Sequence, residues 1–304
     1  MTPPPQSNHA KGLLLTAIGG LALTADIPLI KLAGGDVWSI LMLRAGTTFL
    51  AAMCIWAVWR ALSAGAPTLI PGRAGMAVAA FYALSSIAFI TGVYNTSTAN
   101  VVFILAFNTV FAALLSWLFL KERPRPATLV AMAAMVVGVL IIVGDGIAAG
   151  NLFGDMMALA ASFLIACAIT VSRASGRDMG FTPLVATILP FCVALGFVIG
   201  QGGLQIASPW WIVFNGAVVM PLSFYCLATG PRYITAPEVA MFYLLETVLA
   251  PIWVWMIFAE TPSTRSLIGG AILVVALVAH SLWQIHHSRV RGGLRRAARS
   301  PRHP

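Results

Sequence analysis

The chain nearly repeats itself at an offset of 138 residues, and the positive charges of the first copy are largely missing from the second. Ser85, Thr91, Gly92, Thr109, Val110, Trp117, Glu122 and Pro124 are matched by Ser223, Thr229, Gly230, Thr247, Val248, Trp255, Glu260 and Pro262. The stretch WLFLKERP (Trp117 to Pro124) becomes WMIFAETP (Trp255 to Pro262), so Lys121 and Arg123 give way to Ala259 and Thr261. Two copies that share turn and packing residues but differ in charge are expected to stand in different electrical surroundings.

A membrane supplies such surroundings. With 60% hydrophobic and 9% charged residues over 304 positions, the chain carries more apolar surface than a water-soluble core can hide. Stretches apolar enough to cross a hydrocarbon layer of about 30 Å run at 12–33, 36–60, 73–96, 98–120, 125–146, 153–174, 182–203, 209–231, 235–259 and 264–286. Lys and Arg prefer cytoplasmic loops. With the N-terminus inside, that side receives Lys11, Arg60, Arg73, Lys121, Arg123, Arg125, Arg173, Arg177, Arg232 and the tail arginines 289, 291, 295, 296, 299 and 302. Only Lys31 and Arg265 fall outside, and Arg44 lies within a span. This bias requires an even number of spans with both termini cytoplasmic. The net charge of +9 then reflects topology. The basic tail is placed to touch anionic lipid and lacks the interleaved aromatics of a nucleic-acid surface. The first span is full length, unlike the short core of a cleaved signal. Cys54, Cys167, Cys192 and Cys226 are scattered through apolar spans without CxxC spacing. They read as small packing residues, with neither disulfide nor metal site expected.

Five spans per copy is an odd number, so the second copy must run upside-down relative to the first. The expected fold is an all-α polytopic membrane protein of ten transmembrane helices arranged as two inverted five-helix repeats. The first repeat covers 12–146 and the second 151–287, between a cytoplasmic segment 1–11 and a basic tail 288–304. Inverted repeats characterise secondary transporters that bind substrate near the midplane and alternate access by rocking. The duplicated small-polar turns, the long apolar helices, the terminal Glu–x–Pro (Glu122/Pro124, Glu260/Pro262) and the stretch YLLETVLAPIWVWMIFAE resemble the EamA branch of the drug/metabolite transporter superfamily. Within it the chain is most similar to YddG-like exporters of aromatic and other amino acids, which are also associated with the dication paraquat. The resemblance implies export of neutral amino acids and organic cations, a bacterial inner-membrane location and no cofactor. Small-molecule substrate and lipid bilayer are the expected partners, nucleic acid is not, and the chain is expected to act as a monomer.

An ionisable group inside a span is a functional candidate because it costs several kcal/mol unless paired or facing water. Glu246 lies about eleven residues into the ninth span, roughly 16 Å deep, and its repeat mate is Asn108. A midplane carboxylate opposed by an amide suits a zwitterion, with Glu246 for the ammonium and Asn108 for a polar group. Tyr243 and Trp253 share the helical face of Glu246 and offer aromatic surface. The alternative for Glu246 is an interhelical hydrogen-bonded lock. Tyr82, Tyr225 and Ser223 complete the candidate substrate set, with plain packing as their alternative. Asp26 and Arg44 are expected to pair in the outer half, as an outer gate or as a static bridge. Pro251 frees the Thr247 carbonyl and marks a candidate hinge; Pro28, Pro190 and Pro221 interrupt other spans. His280 is a candidate proton relay or a packed histidine. Glu238 reads as a helix cap, and Lys31 is expected to snorkel without a partner.

Rival readings are an exporter of nucleobases or nucleosides, a channel, and an intramembrane enzyme. Asp145 and Asp155 fall at span ends and outside a full GxGD motif, which disfavours an aspartyl protease. No nucleotide-binding loop is present in the sequence, and the scattered polar residues do not form the continuous track a channel needs. The chain is therefore not expected to be an enzyme.

Overall fold

Prolines decide where three of the long helices are interrupted. The computed structural model describes residues 6–63, 65–121, 124, 126–177, 179–229 and 236–297. In it α1 (Gln6–Leu23) and α2 (Asp26–Ala33) make one crossing that breaks at Thr24–Ala25. Pro28 has no N–H for the Thr24 carbonyl, and its ring crowds that carbonyl. The same relation holds between Pro190 and Ala186, where α9 (Thr182–Val185) gives way to α10 (Ile188–Gly200). Pro221 follows a π-helical turn, Asn215–Val219, that joins α11 (Pro209–Phe214) to α12 (Met220–Thr229). Helix α13 (Ala236–Phe258), by contrast, passes Pro251 without interruption.

The remaining elements are α3 (Val37–Leu62), α4 (Gly72–Asn95), α5 (Thr98–Ala106), α6 (Asn108–Leu120), α7 (Pro126–Ala149), α8 (Leu152–Ser175) and α14 (Thr264–Ala297). Side-chain caps start two of them. Asp36 accepts from Trp38 N (2.9 Å) and Ser39 N (3.2 Å) ahead of α3, and Ser97 accepts from Asn100 N (3.2 Å) ahead of α5; both satisfy amides that the first turn leaves open. The crossing read as one helix over 98–120 is two, because the Phe107 N–H turns back to Ile104 O (3.0 Å) and no proline announces the break. Nine stretches among the described residues are long and apolar enough to cross a membrane, and the shorter apolar helix Leu245–Phe258 forms part of α13.

The packing repeats with the sequence. Helix α4 lies against α8, α1 against α12, α3 against α10, α7 against α14, and α5 against α13. A shift of 138 residues turns the α4–α8 pair into the α12–α1 pair and returns the other three pairs to themselves, so the element contacts have two-fold symmetry. The left-handed turns agree. Among the described residues, the non-glycine positions with positive φ are Lys121 (57°) and Ala259 (54°), which occupy equivalent places in the two copies.

Loops tie the two halves at both ends of α3 and α10. At one end Asp36 N donates to Gln205 O (3.1 Å), Ala207 N to Gly34 O (2.8 Å) and Ser208 N to Ala33 O (2.8 Å), around an antiparallel bridge between Gly35 and Ile206. Only glycine fits at 35, where φ is +156° and a Cβ would come within 2.3 Å of Gln205 O. At the other end Arg177 Nη1 donates to Pro71 O (3.1 Å) and Thr182 Oγ1 to Leu69 O (3.1 Å).

Candidate substrate site

The break between α1 and α2 puts Asp26 in the first turn of α2, where unpaired amides favour a carboxylate. Asp26 is 3% exposed and Arg44, on the adjacent α3, is 9% exposed. They pair through two bonds, Arg44 Nε to Asp26 Oδ1 (3.2 Å) and Nη2 to Oδ2 (2.8 Å). Asn215 in the π turn is fully buried and donates its Nδ2 to Asp26 Oδ1 (2.7 Å) and to the Asp26 carbonyl (3.0 Å). Met220 Sδ stands 3.0 Å from Arg44 Nη2, and the Phe89 ring centroid lies 5.6 Å from Arg44 Cζ. The π turn presses close to this pair: a Cβ on Gly216 would meet Thr47 Oγ1 at 2.0 Å and Arg44 O at 2.6 Å.

Helix α13, which carries Glu246, packs against α2, the helix of Asp26, and Glu246 keeps part of its surface exposed. Two turns further along, Trp253 Nε1 donates to Thr24 Oγ1 (3.2 Å) at the α1/α2 break. Asp26 and Arg44 of the first half thus meet Asn215 and Met220 of the second, and Glu246 stands on a helix packed against that of Asp26. The sequence reasoning anticipated the ion pair, but it did not bring Asn215 to it.

Other sequence candidates lie apart or differ in detail. Asn108 opens α6 just past the Phe107 break and is partly buried. Tyr82 packs against the buried cluster of Val78, Ala168 and Met179. Tyr225 is 49% exposed on α12, and Ser223 on the same helix is buried, with its Oγ lacking a hydrogen-bond partner among the described residues. Pro251 sits inside the uninterrupted α13, and His280 stacks on Trp283 at a centroid distance of 6.1 Å. The side chains of Tyr243 and Glu238 lie outside the described residues.

Two polar clusters were not foreseen. Lys31, expected to need no partner, pairs with Glu260 Oε2, while Glu260 Oε1 accepts the Thr98 N–H at 2.8 Å. One carboxylate therefore holds the end of α2, the start of α5 and the end of α13 together. Asp155 is fully buried and accepts from Thr96 Oγ1 (2.6 Å) and Asn100 Nδ2 (3.1 Å). Ser266 Oγ in turn donates to Asn100 Oδ1 (2.6 Å), and Asp145 accepts from Ser263. These acids are taken up by α4, α5, α7, α8 and α14 as a knot of side-chain bonds. Asn215 carried one legible signal, a lone amide in an apolar run followed by Gly216 and Pro221. For Glu260 no local signal separated a bridging role from a loop role.

Two segments, residues 10–144 and 152–282, match the EamA-like transporter family. The chain belongs to the EamA-like transporter family. As an EamA-like transporter it resembles an uncharacterized transporter of Archaeoglobus fulgidus, 23% identical over 261 residues that cover 82% of this chain and 88% of the relative. A riboflavin transporter of Vibrio cholerae is 26% identical over 190 residues, covering 61% of this chain and 63% of the relative. One solved crystal structure has the same fold at a TM-score of 0.64 and 16% identity, over 90% of this chain and 98% of that one. The chain is thus a multi-pass membrane transporter of a small molecule, with an all-helical fold.

Proposed function

We propose that this EamA-like transporter is a ten-span secondary carrier of two inverted five-helix repeats, with both termini in the cytoplasm, and that it exports amino acids by alternating access. The observation that carries this reading is the buried Asp26–Arg44 pair, held by Asn215 and Met220 of the second half, with the helix of Glu246 packed against that of Asp26. Three ionisable groups are costly inside a bilayer unless a water-filled path and a charged ligand use them. The inside excess of Lys and Arg supports the orientation. In that orientation the Lys31–Glu260–Thr98 junction lies on the outer face, and the two loops that meet at Gly35 and Ile206 close the same face. A midplane carboxylate with an aromatic neighbour, Trp253, suits a substrate that carries an ammonium group and a ring.

The test is reconstitution in proteoliposomes with a substrate panel of neutral amino acids, an organic dication and riboflavin. Glu246→Gln is expected to lower amino-acid exchange at least ten-fold while membrane insertion and thermal stability stay near wild type. Wild-type exchange in that variant would remove Glu246 from the site. A flat heterocycle is the second reading, favoured by the relative named as a riboflavin transporter; saturable riboflavin exchange without amino-acid exchange would select it.

A further inference from the structure

A guanidinium carries five N–H donors in a planar fork, and Asp26 uses only one edge of the Arg44 fork. Nε and Nη2 go to the carboxylate, and Nη2 also meets Met220 Sδ. Nη1, with two N–H groups, makes no hydrogen bond among the described residues, yet it is not one of the sealed, unsatisfied polar atoms of the interior. It therefore keeps some accessible surface although the residue is 9% exposed. An N–H₂ edge of a charged group turned toward hydrocarbon would be strongly unfavourable, so this edge needs water or a polar ligand beside it.

We propose that Arg44 is a substrate-binding residue, taking the carboxylate of the transported amino acid on its free Nη1 edge while Glu246 takes the ammonium; this rests on the amino-acid reading above. Arginine suits the task because its fork matches a carboxylate and stays charged at all relevant pH. Asp26 and Asn215 act through Arg44 as positioning residues: Asn215 fixes the Asp26 carboxylate, and that carboxylate holds the guanidinium plane so that the unused edge is left for the substrate. The Phe89 ring beside Arg44 Cζ limits rotation of the plane. Glu246 stands on α13, which packs against α2, the helix whose Asp26 holds Arg44, so the ammonium and carboxylate receptors come from adjoining helices. Selectivity follows: the site discriminates against an amine that lacks the carboxylate, because Arg44 would then lose its ligand.

The experiment is counterflow of labelled L-phenylalanine in proteoliposomes, with unlabelled phenylalanine, phenethylamine and phenylpropionate as competitors. For the wild-type protein, phenethylamine and phenylpropionate should each compete about 10- to 100-fold more weakly than phenylalanine, the effect of one charge-assisted contact. In Asp26→Asn/Arg44→Gln, which removes both charges together and strands neither, the preference for phenylalanine over phenethylamine should collapse to within about three-fold. Equal competition by phenylalanine and phenethylamine in the wild type overturns the proposal, and so does a double variant that keeps the full preference. The wild-type series decides by itself if the double variant does not fold. If phenylalanine is not transported at all, the amino-acid reading fails and this proposal with it; if it is transported without preference over the amine, only the role of Arg44 fails.

Discussion

Removing the charge of Asp26, of Arg44, or of both together separates a structural ion pair from two independent polar residues. Asp26 receives three side-chain bonds, two from Arg44 and one from Asn215. Asp26→Asn keeps an oxygen for these donors but leaves a buried guanidinium without the carboxylate that pairs with it. Arg44→Leu leaves the Asp26 carboxylate buried without a cation, with only the Asn215 bond to offset its charge. Stranding one member of a buried pair costs about 3–5 kcal/mol. Arg44→Leu should therefore fall at the upper end of that range and Asp26→Asn, softened by the acceptor oxygen that the amide keeps, at the lower end. In the double variant both charges are gone and the amide introduced at position 26 still accepts from Asn215, so the cost should drop to about 2 kcal/mol or less. With single effects of about 5 and 3 kcal/mol, the resulting coupling is about 6 kcal/mol, above the usual range for contacting residues. Reversible unfolding in mixed micelles, followed by tryptophan fluorescence, yields all four stabilities. Single effects that sum to the double effect within about 0.5 kcal/mol would refute the reasoning, and so would an Asp26→Asn penalty larger than that of Arg44→Leu.

Three further outcomes follow from the packing. Gly216→Ala should cost about 1–3 kcal/mol in the same unfolding assay and weaken substrate exchange, because the new methyl must displace Thr47 and the Arg44 backbone. Glu260→Gln should expose the start of α5: the Thr98 amide loses a charged acceptor worth about 1.5–3 kcal/mol, and its hydrogen exchange should speed up about 10- to 100-fold. An unchanged rate would show that the amide is protected by something else. Ala259→Gly should raise the melting temperature, because it removes a left-handed penalty of about 1–2 kcal/mol at a φ of 54°; a lower melting temperature would mean that the lost methyl contact outweighs the relief.

How much of this was legible in the sequence depended on the range of each signal. The crossings were readable because hydrocarbon thickness imposes a local length on apolar runs, and the breaks at Thr24 and Ala186 because Pro28 and Pro190 act on the carbonyl four residues earlier. The Asp26–Arg44 pair was also readable, since two opposite charges at similar depth on consecutive spans have few other ways to offset their desolvation. The break at Phe107 was hidden, as its neighbours Ala106 and Asn108 are not helix breakers of the proline kind. Asn215 reaches Asp26 across 189 positions and Glu260 reaches Lys31 across 229. Partners at that separation are set by how whole helices stack, which no local window contains. Glu246 lies on α13, and the packing of that helix against α2 of the other half is a relation of the same long range.

The loop ties described for the two ends of α3 and α10 have a mechanical consequence. Gly34–Asp36 is fastened to Gln205–Ser208 at one end, and Leu69–Pro71 to Arg177 and Thr182 at the other. The two ties sit at opposite ends of the α3–α10 seam, and the α4–α8, α7–α14 and α1–α12 contacts join the same halves. Opening the seam at one end must therefore break backbone hydrogen bonds between the loops, and at the other the side-chain bonds of Arg177 and Thr182.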